Sequence, residues 1–142
     1  MVIDKKKLSI KHTISIEEFL HLRKQVGFQP LSIEQAELVL KNTSYISAVQ
    51  YGGEIIGVTR LLFDFCTDAY ITDVIVSPDY QGYGVGTMLV NDIINFIKAN
   101  VSKDTKIACS IYANKGKEKF YKQFGFEELP NNKYGFGMLL EV

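Results

Sequence analysis

Net charge is the first thing this chain lacks: 16 Lys and Arg stand against 16 Asp and Glu, a formal charge of zero. Without a surplus of either sign, no whole-molecule field draws it to nucleic acid or to an anionic membrane. The run Lys5-Lys6-Lys7 is short and reads as a solvated stretch. Cysteine is scarce as well. Cys66 and Cys109 are the only two, and their separation fits neither a metal site nor a redox pair. His12 and His21 stand isolated, without metal-ligand spacing, so no metal is expected. No serine or cysteine occupies a recognisable nucleophile setting, which argues against a covalent enzyme intermediate. No apolar run is long enough to span a bilayer, no signal-peptide pattern opens the chain, and there is no internal repeat. The expectation is a soluble, cytoplasmic protein with no nucleic-acid and no membrane partner.

What is present is enough apolar material for a core. At 142 residues and 46% hydrophobic content, disorder is excluded and residues 1–142 read as one domain. The chain is organised around Tyr70 to Ala99. Tyr70–Val76 is rich in β-branched residues and stops at Ser77-Pro78-Asp79, as a strand does. From Gly84 the apolar period changes: Val85, Leu89, Ile93 and Ile97, flanked by Met88, Val90, Ile94 and Phe96, share one helical face. Between strand and helix lies Gln81-Gly82-Tyr83-Gly84-Val85-Gly86. Glycines at alternate positions let the backbone approach a ligand and aim its N–H groups at it. The helix start that follows favours an anion such as a phosphate or pyrophosphate.

A glycine loop before a helix has several readings. A dinucleotide fold wants a third glycine where Thr87 stands, and an acid where Lys106 lies. A P-loop wants Gly-Lys-Ser/Thr, which is missing. A tight turn with helix-packing glycines stays open as the plain alternative.

The rest of the chain divides cleanly. Leu8–Lys11 reads as a first strand. Ser15 with Glu18, and Ser32 with Gln35, are capping boxes that open two helices, the first ended at Gly27 and the second reaching about Lys41. Phe28-Gln29-Pro30 links them as a loop. Tyr45–Tyr51, Gly52-Gly53 and Glu54–Phe63 form a hairpin signal. After the long helix, Lys106–Tyr112 reads as a strand, Gly116–Phe124 as a shorter helix, Pro130–Tyr134 as a loop and Phe136–Val142 as a last strand. This order predicts a mixed α/β sheet with helices on both faces.

Two stretches then resemble a known family. Asp73-Val74-Ile75-Val76-Ser77-Pro78-Asp79-Tyr80-Gln81-Gly82-Tyr83-Gly84-Val85-Gly86 resembles the acetyl-CoA-binding signature of the GCN5-related N-acetyltransferases, a Gln/Arg-x-x-Gly-x-Gly/Ala loop after a strand. The segment from Asn114 to Phe126 resembles that family's second signature, an Asn followed seven residues later by Tyr in a Phe-Tyr-x-x-x-Gly-Phe frame. Leu22 to Phe28, the pair Asp73-Val74 and Gly135 to Met138 are similar to the small-amine branch of plastid serotonin or arylalkylamine type. The resemblance implies a mostly antiparallel sheet of about six to seven strands flanked by about four helices. It implies acetyl-CoA as cofactor and a small-molecule primary amine as substrate. A protein lysine or N-terminal acceptor, and a non-catalytic acyl-CoA sensor, remain as alternatives, as do monomer and homodimer.

Residue by residue, the resemblance assigns the pyrophosphate to the backbone of Gln81, Gly82, Tyr83, Gly84, Val85, Gly86 and Thr87. It assigns the pantetheine arm to the strand edge Val74, Ile75 and Val76, where the strand splays from the Lys106–Tyr112 side, with the Val76 N–H as oxyanion donor. Asn114, Lys117 and Phe120 are further coenzyme-binding positions, although Lys117 stands where a small residue is common. Phe28 and Tyr134 are candidate walls of the acceptor site. Asp73, an acid on an otherwise apolar strand, is the candidate proton acceptor or relay, or else a structural carboxylate. Tyr121 is the candidate general acid: a phenol of pKa ~10 can protonate a thiolate whose acid lies near ~8.5.

Overall fold

The computed structural model describes all 142 residues. Both capping boxes form as read. The Ser15 hydroxyl accepts from Glu18 N–H while Glu18 accepts from Ser15 N–H, opening helix α1 (Ile16–Gln25). Ser32 and Gln35 repeat the exchange at helix α2 (Ile33–Lys41). Each box satisfies donors that a helix start otherwise leaves unpaired.

The chain folds as two compact units, Met1–Ile111 and Tyr112–Val142. The first holds a five-stranded sheet in the order β1 (Leu8–Lys11), β2 (Tyr45–Tyr51), β3 (Glu54–Phe63), β4 (Asp68–Val76), β5 (Ala108–Ile111). The first three pairings are antiparallel, and β4–β5 is parallel. A short 3-10 turn, Pro78–Tyr80, follows β4 and leads through the glycine loop into helix α3 (Val85–Ala99).

The sheet is covered on both faces. Phe19 and Leu22 of α1 and Ala36 of α2 pack on Ala48, Val58 and Ile75. Val85 and Leu89 of α3 pack with Val49 and Ile56. A strand buried on both sides should be apolar throughout, and β3 is fully buried from Ile56 to Thr59. An extra residue in β3, Ile56, interrupts the register opposite Val49 and Gln50. This bulge turns Ile56 and Gly57 to the α3 side together. Gly57 is where α3 comes closest: a β-carbon there would lie 2.9 Å from Val85 Cγ1 and 3.2 Å from the Ile75 carbonyl oxygen.

The second unit carries helix α4 (Glu118–Lys122), shorter than the expected Gly116–Phe124. Phe120, Tyr121, Phe124 and Phe126 meet edge to face around it, with centroids 5.0–6.1 Å apart.

Three sequence expectations need correction. The sheet has five strands, not six to seven. The fifth runs over Ala108–Ile111 only, within the expected Lys106–Tyr112. Phe136–Val142 is not a strand: its backbone joins no ladder, and Phe136, Met138, Leu139 and Leu140 are exposed. Alternating or apolar sequence suffices for a strand only where a neighbouring edge accepts its hydrogen bonds, and these residues have none.

Candidate active site

Strand β4 makes the site by losing its regularity. Across β3, Val58 pairs with Ile75 and Arg60 with Thr72, so Asp73 and Val74 together oppose Thr59. This is a β-bulge, and its first residue, Asp73, has φ +51, an uncommon backbone state that Asp tolerates better than most residues. The buried Thr59 hydroxyl donates to the Thr72 carbonyl at 3.1 Å and braces the bulge from below.

On its other edge β4 is paired only in part. The parallel ladder with β5 ends at Ile71↔Ile111, and no strand pairs with Thr72–Val76 on that side. Ser77 N–H donates to the Ile56 carbonyl at 2.8 Å, so Gly57 and Val76 face each other without exchanging hydrogen bonds. The Val76 N–H and carbonyl therefore point to the unpaired edge. The Gln81 side-chain amide donates to that carbonyl at 3.0 Å, which leaves the N–H as the free group and ties strand end to glycine loop.

The loop delivers a helix start stripped of side-chain caps. Gly82 has φ +84 and Gly84, the N-cap of α3, φ +86. Those values need glycine, and nothing stands within 4 Å of where either β-carbon would be. No side chain caps α3, and no acid lies in its first turn. Donors, dipole and open space thus fit a pyrophosphate, and the unpaired β4 edge fits the amides of a pantetheine arm. Tyr83 sends its hydroxyl to the Met1 carbonyl, away from a purely ligand-binding role. Val85 is buried in the core, while Gly86 and Thr87 are half-buried.

Asp73 is not a lone carboxylate. Arg23 Nη1 donates to its Oδ1 at 3.0 Å and Arg60 Nε to its Oδ2 at 2.7 Å. Taking up a proton would therefore mean releasing an arginine. Phe28 leaves α1 with its ring centroid 5.4 Å from the Arg23 guanidinium carbon. Sequence reasoning did not single out Arg23, Arg60 or Gly57. A signal existed for Arg60: it is the one cation in the apolar strand Glu54–Phe63, and Asp73 is an acid inside the next one.

In the second unit, Tyr121 is buried, and burial raises its phenol above the ordinary value. The shift adds to the hold an ordinary phenol already has on its proton at neutral pH. Phe120 is half-buried beside it. Asn114 and Lys117 are exposed, and Lys117 rather than Asn114 is the N-cap of α4. Tyr134 is exposed, with Lys133 Nζ 5.2 Å from its ring centroid.

Residues 13–126 match the sequence model of the Acetyltransferase (GNAT) family. The chain is 29% identical over 133 residues to the uncharacterized N-acetyltransferase ycf52 of Pyropia yezoensis, covering 90% of this chain and 74% of that protein. It is 34% identical over 82 residues to GCN5-related N-acetyltransferase 2, chloroplastic, of Arabidopsis thaliana, covering 58% of this chain and 30% of that protein. Among solved structures, a protein of unknown function from methicillin-resistant Staphylococcus aureus, SA2161, described as a probable acetyltransferase, superposes with a TM-score of 0.81 at 26% identity. That match covers 95% of this chain and 99% of the other.

Proposed function

The chain belongs to the GNAT family of acetyltransferases, and from that premise we propose that it moves an acetyl group from acetyl-CoA to the primary amine of a small molecule. The observation that carries the reading is the Thr72–Val76 edge, left unpaired beyond Ile71 and running into the uncapped glycine start of α3. The strand edge offers backbone groups to amides, and the helix start beyond it offers a second set of N–H donors to phosphates. The family match runs through both units, which supports taking residues 1–142 as one catalytic domain.

Each residue has a role in this reading. The backbone of Gln81 to Thr87 holds the pyrophosphate, and Val74 to Val76 align the pantetheine arm. Asn114, Lys117 and Phe120 take the coenzyme positions of the second signature. Bound acetyl-CoA supplies an activated thioester acyl group. The Val76 N–H donates to the acyl oxygen as negative charge gathers there. Tyr121 Oη supplies the proton to the departing sulfur. Phe28 and Tyr134 line the acceptor site. Asp73 holds Arg23 and Arg60 in place, and the amine loses its proton to water. The small-molecule acceptor draws its support from the runs Leu22–Phe28, Asp73-Val74 and Gly135–Met138, which resemble the arylalkylamine type.

The test is coenzyme A release from acetyl-CoA across arylalkylamines, polyamines, amino sugars, amino acids and short peptides. Release that depends on a small amine and falls about a hundredfold in Tyr121→Phe, the scale of general acid catalysis, supports the reading, provided acetyl-CoA binding is kept. Release only with peptides moves the acceptor to protein. Tight binding without release on any acceptor makes the chain a coenzyme sensor.

A further inference from the structure

Two guanidinium groups share one carboxylate beside the β4 bulge. Arg23 comes from the last turn of α1, Arg60 from β3 and Asp73 from the bulge itself. Their side chains are only 13%, 12% and 10% exposed. The remaining bonds hold the arginines still: Arg23 Nη2 donates to the Gln29 carbonyl at 3.0 Å and Arg60 Nη1 to the Thr43 hydroxyl at 2.9 Å. The Arg23 guanidinium also lies between two rings, 5.6 Å from the Phe19 centroid and 5.4 Å from that of Phe28.

The charge does not balance. No other acid pairs with either arginine, so a largely buried cluster carries two positive charges and one negative. Burying a charge without a partner is costly. Arg23 Nε is buried without any acceptor, and the hydrogen bonds of the Arg60 guanidinium run through Nε and Nη1, not Nη2. A fixed, planar pair of guanidiniums with spare donors suits a carboxylate or phosphate oxygen, which they can grip through parallel N–H bonds. Asp73 stands only three residues before Val76 on the same strand, about 10 Å at most along it. A small molecule held at the arginines is thus within reach of the unpaired edge.

We propose that Arg23 and Arg60 form the recognition site for an acidic group on the acceptor, so that the substrates are amines that also carry a carboxylate or a phosphate. The inference rests on the acetyl-transfer reading for its substrate and on the cluster alone for its anion. Phe28, stacked beside Arg23, packs against the carbon skeleton between amine and acid.

The experiment compares matched acceptors: butylamine against 4-aminobutyrate, and ethanolamine against phosphoethanolamine. The wild-type protein is expected to favour the acid-bearing member by about tenfold or more in kcat/KM, the scale of one charge-assisted bond. The carboxylate and phosphate pairs show which acid is read. Arg60→Gln is expected to abolish the preference mainly through KM: the acid-bearing member falls about tenfold further than the neutral one, and any loss the two share reports the Arg60–Asp73 bond. Arg60→Lys, which keeps the charge but not the fork, restores part of it. No preference in the wild type, or a parallel fall for both members in Arg60→Gln, overturns the proposal. If no amine is acetylated, the acetyl-transfer reading fails and a second measurement decides the anion site. Phosphate and acetate, titrated against chloride at constant ionic strength, should shift the Arg23 and Arg60 side-chain N–H resonances saturably. Absence of a saturable shift overturns the site.

Discussion

Arg60 Nε donates to Asp73 Oδ2 at 2.7 Å, across the one place where β3 and β4 lose register. The pair fastens a left-handed residue, at φ +51, to the regular strand beside it. The bulge in turn swings the last residues of β4 into the direction in which Val76 presents its N–H to the free edge. The salt bridge thus sits between packing and the proposed chemistry: it fixes the backbone that we propose as the reactive surface.

Asp73→Asn tests which side of that boundary the carboxylate serves. Asn tolerates positive φ, so the bulge keeps its shape, but an amide can accept from only one of the two arginines. Loss of a largely buried charge partner is expected to cost about 3 kcal/mol in urea denaturation. Turnover should fall without any change in the pH at which activity rises. A stable Asp73→Asn protein whose activity returns only at alkaline pH would instead make Asp73 the proton acceptor.

Gly57→Ala tests the seat of α3. The added methyl meets Val85 Cγ1 at 2.9 Å and the backbone oxygen of Ile75 at 3.2 Å. The first can rotate, but the second is backbone of a strand that β3 holds in register through Val58 and Ile75. Overpacking of this kind costs about 1–3 kcal/mol. Because Val85 opens α3, the loss of stability should come with weaker acetyl-CoA binding by calorimetry. Unchanged melting and binding would show that the helix start has room to move.

Most of the fold was legible because its signals are local. Two capping boxes, a Gly-Gly hairpin and a change of apolar period at Gly84 each depend on residues within a few positions, and the elements they announce lie where they were expected. The glycine loop was legible for the same reason. The Asp73 cluster was not, since Arg23 lies 50 residues from its partner and Arg60 lies 13. No periodicity carries a contact of that range. Gly57 looked like a plain strand residue because its constraint comes from Val85 on another element. Phe136–Val142 failed in the opposite way: its composition suits a strand, but strand formation depends on an edge that sequence pattern does not reveal.

Thiol labelling separates the two cysteines. Cys66 is exposed in the β3–β4 turn, whereas Cys109 is half-buried on β5 and burial pushes its thiol up to about 11. Only the thiolate attacks a disulfide reagent. At pH 8 an aromatic disulfide should therefore label one thiol rapidly and the other at least about tenfold more slowly, from the smaller thiolate fraction. Cys66→Ser should remove the fast phase. A single fast phase of two thiols would mean that β5 opens readily.

Alkaline unfolding should report on Tyr45. Its hydroxyl donates to Asp92 Oδ2 at 3.0 Å, its ring stacks on Phe96 at 3.8 Å, and His12 Nε2 lies 3.3 Å from the same carboxylate oxygen. Burial first, then the hydrogen bond to Asp92 and its charge, raise the phenol from 10.0 to about 12. The folded value lies above the unfolded one, so the folded state keeps this proton where the unfolded chain has lost it. The stability that follows is whole below pH 10 and drains away as pH rises through 12. Tyr45→Phe keeps the stack but has no proton to lose. Urea midpoints measured from pH 8 to pH 11.5 should show the wild type ahead of Tyr45→Phe at pH 8, with the gap closing steadily above 10. The other tyrosines ionise in both proteins and cancel in the difference. A gap that stays constant to pH 11.5 would mean that the Tyr45–Asp92 bond contributes nothing, leaving the Phe96 stack to hold α3 against β2 by itself.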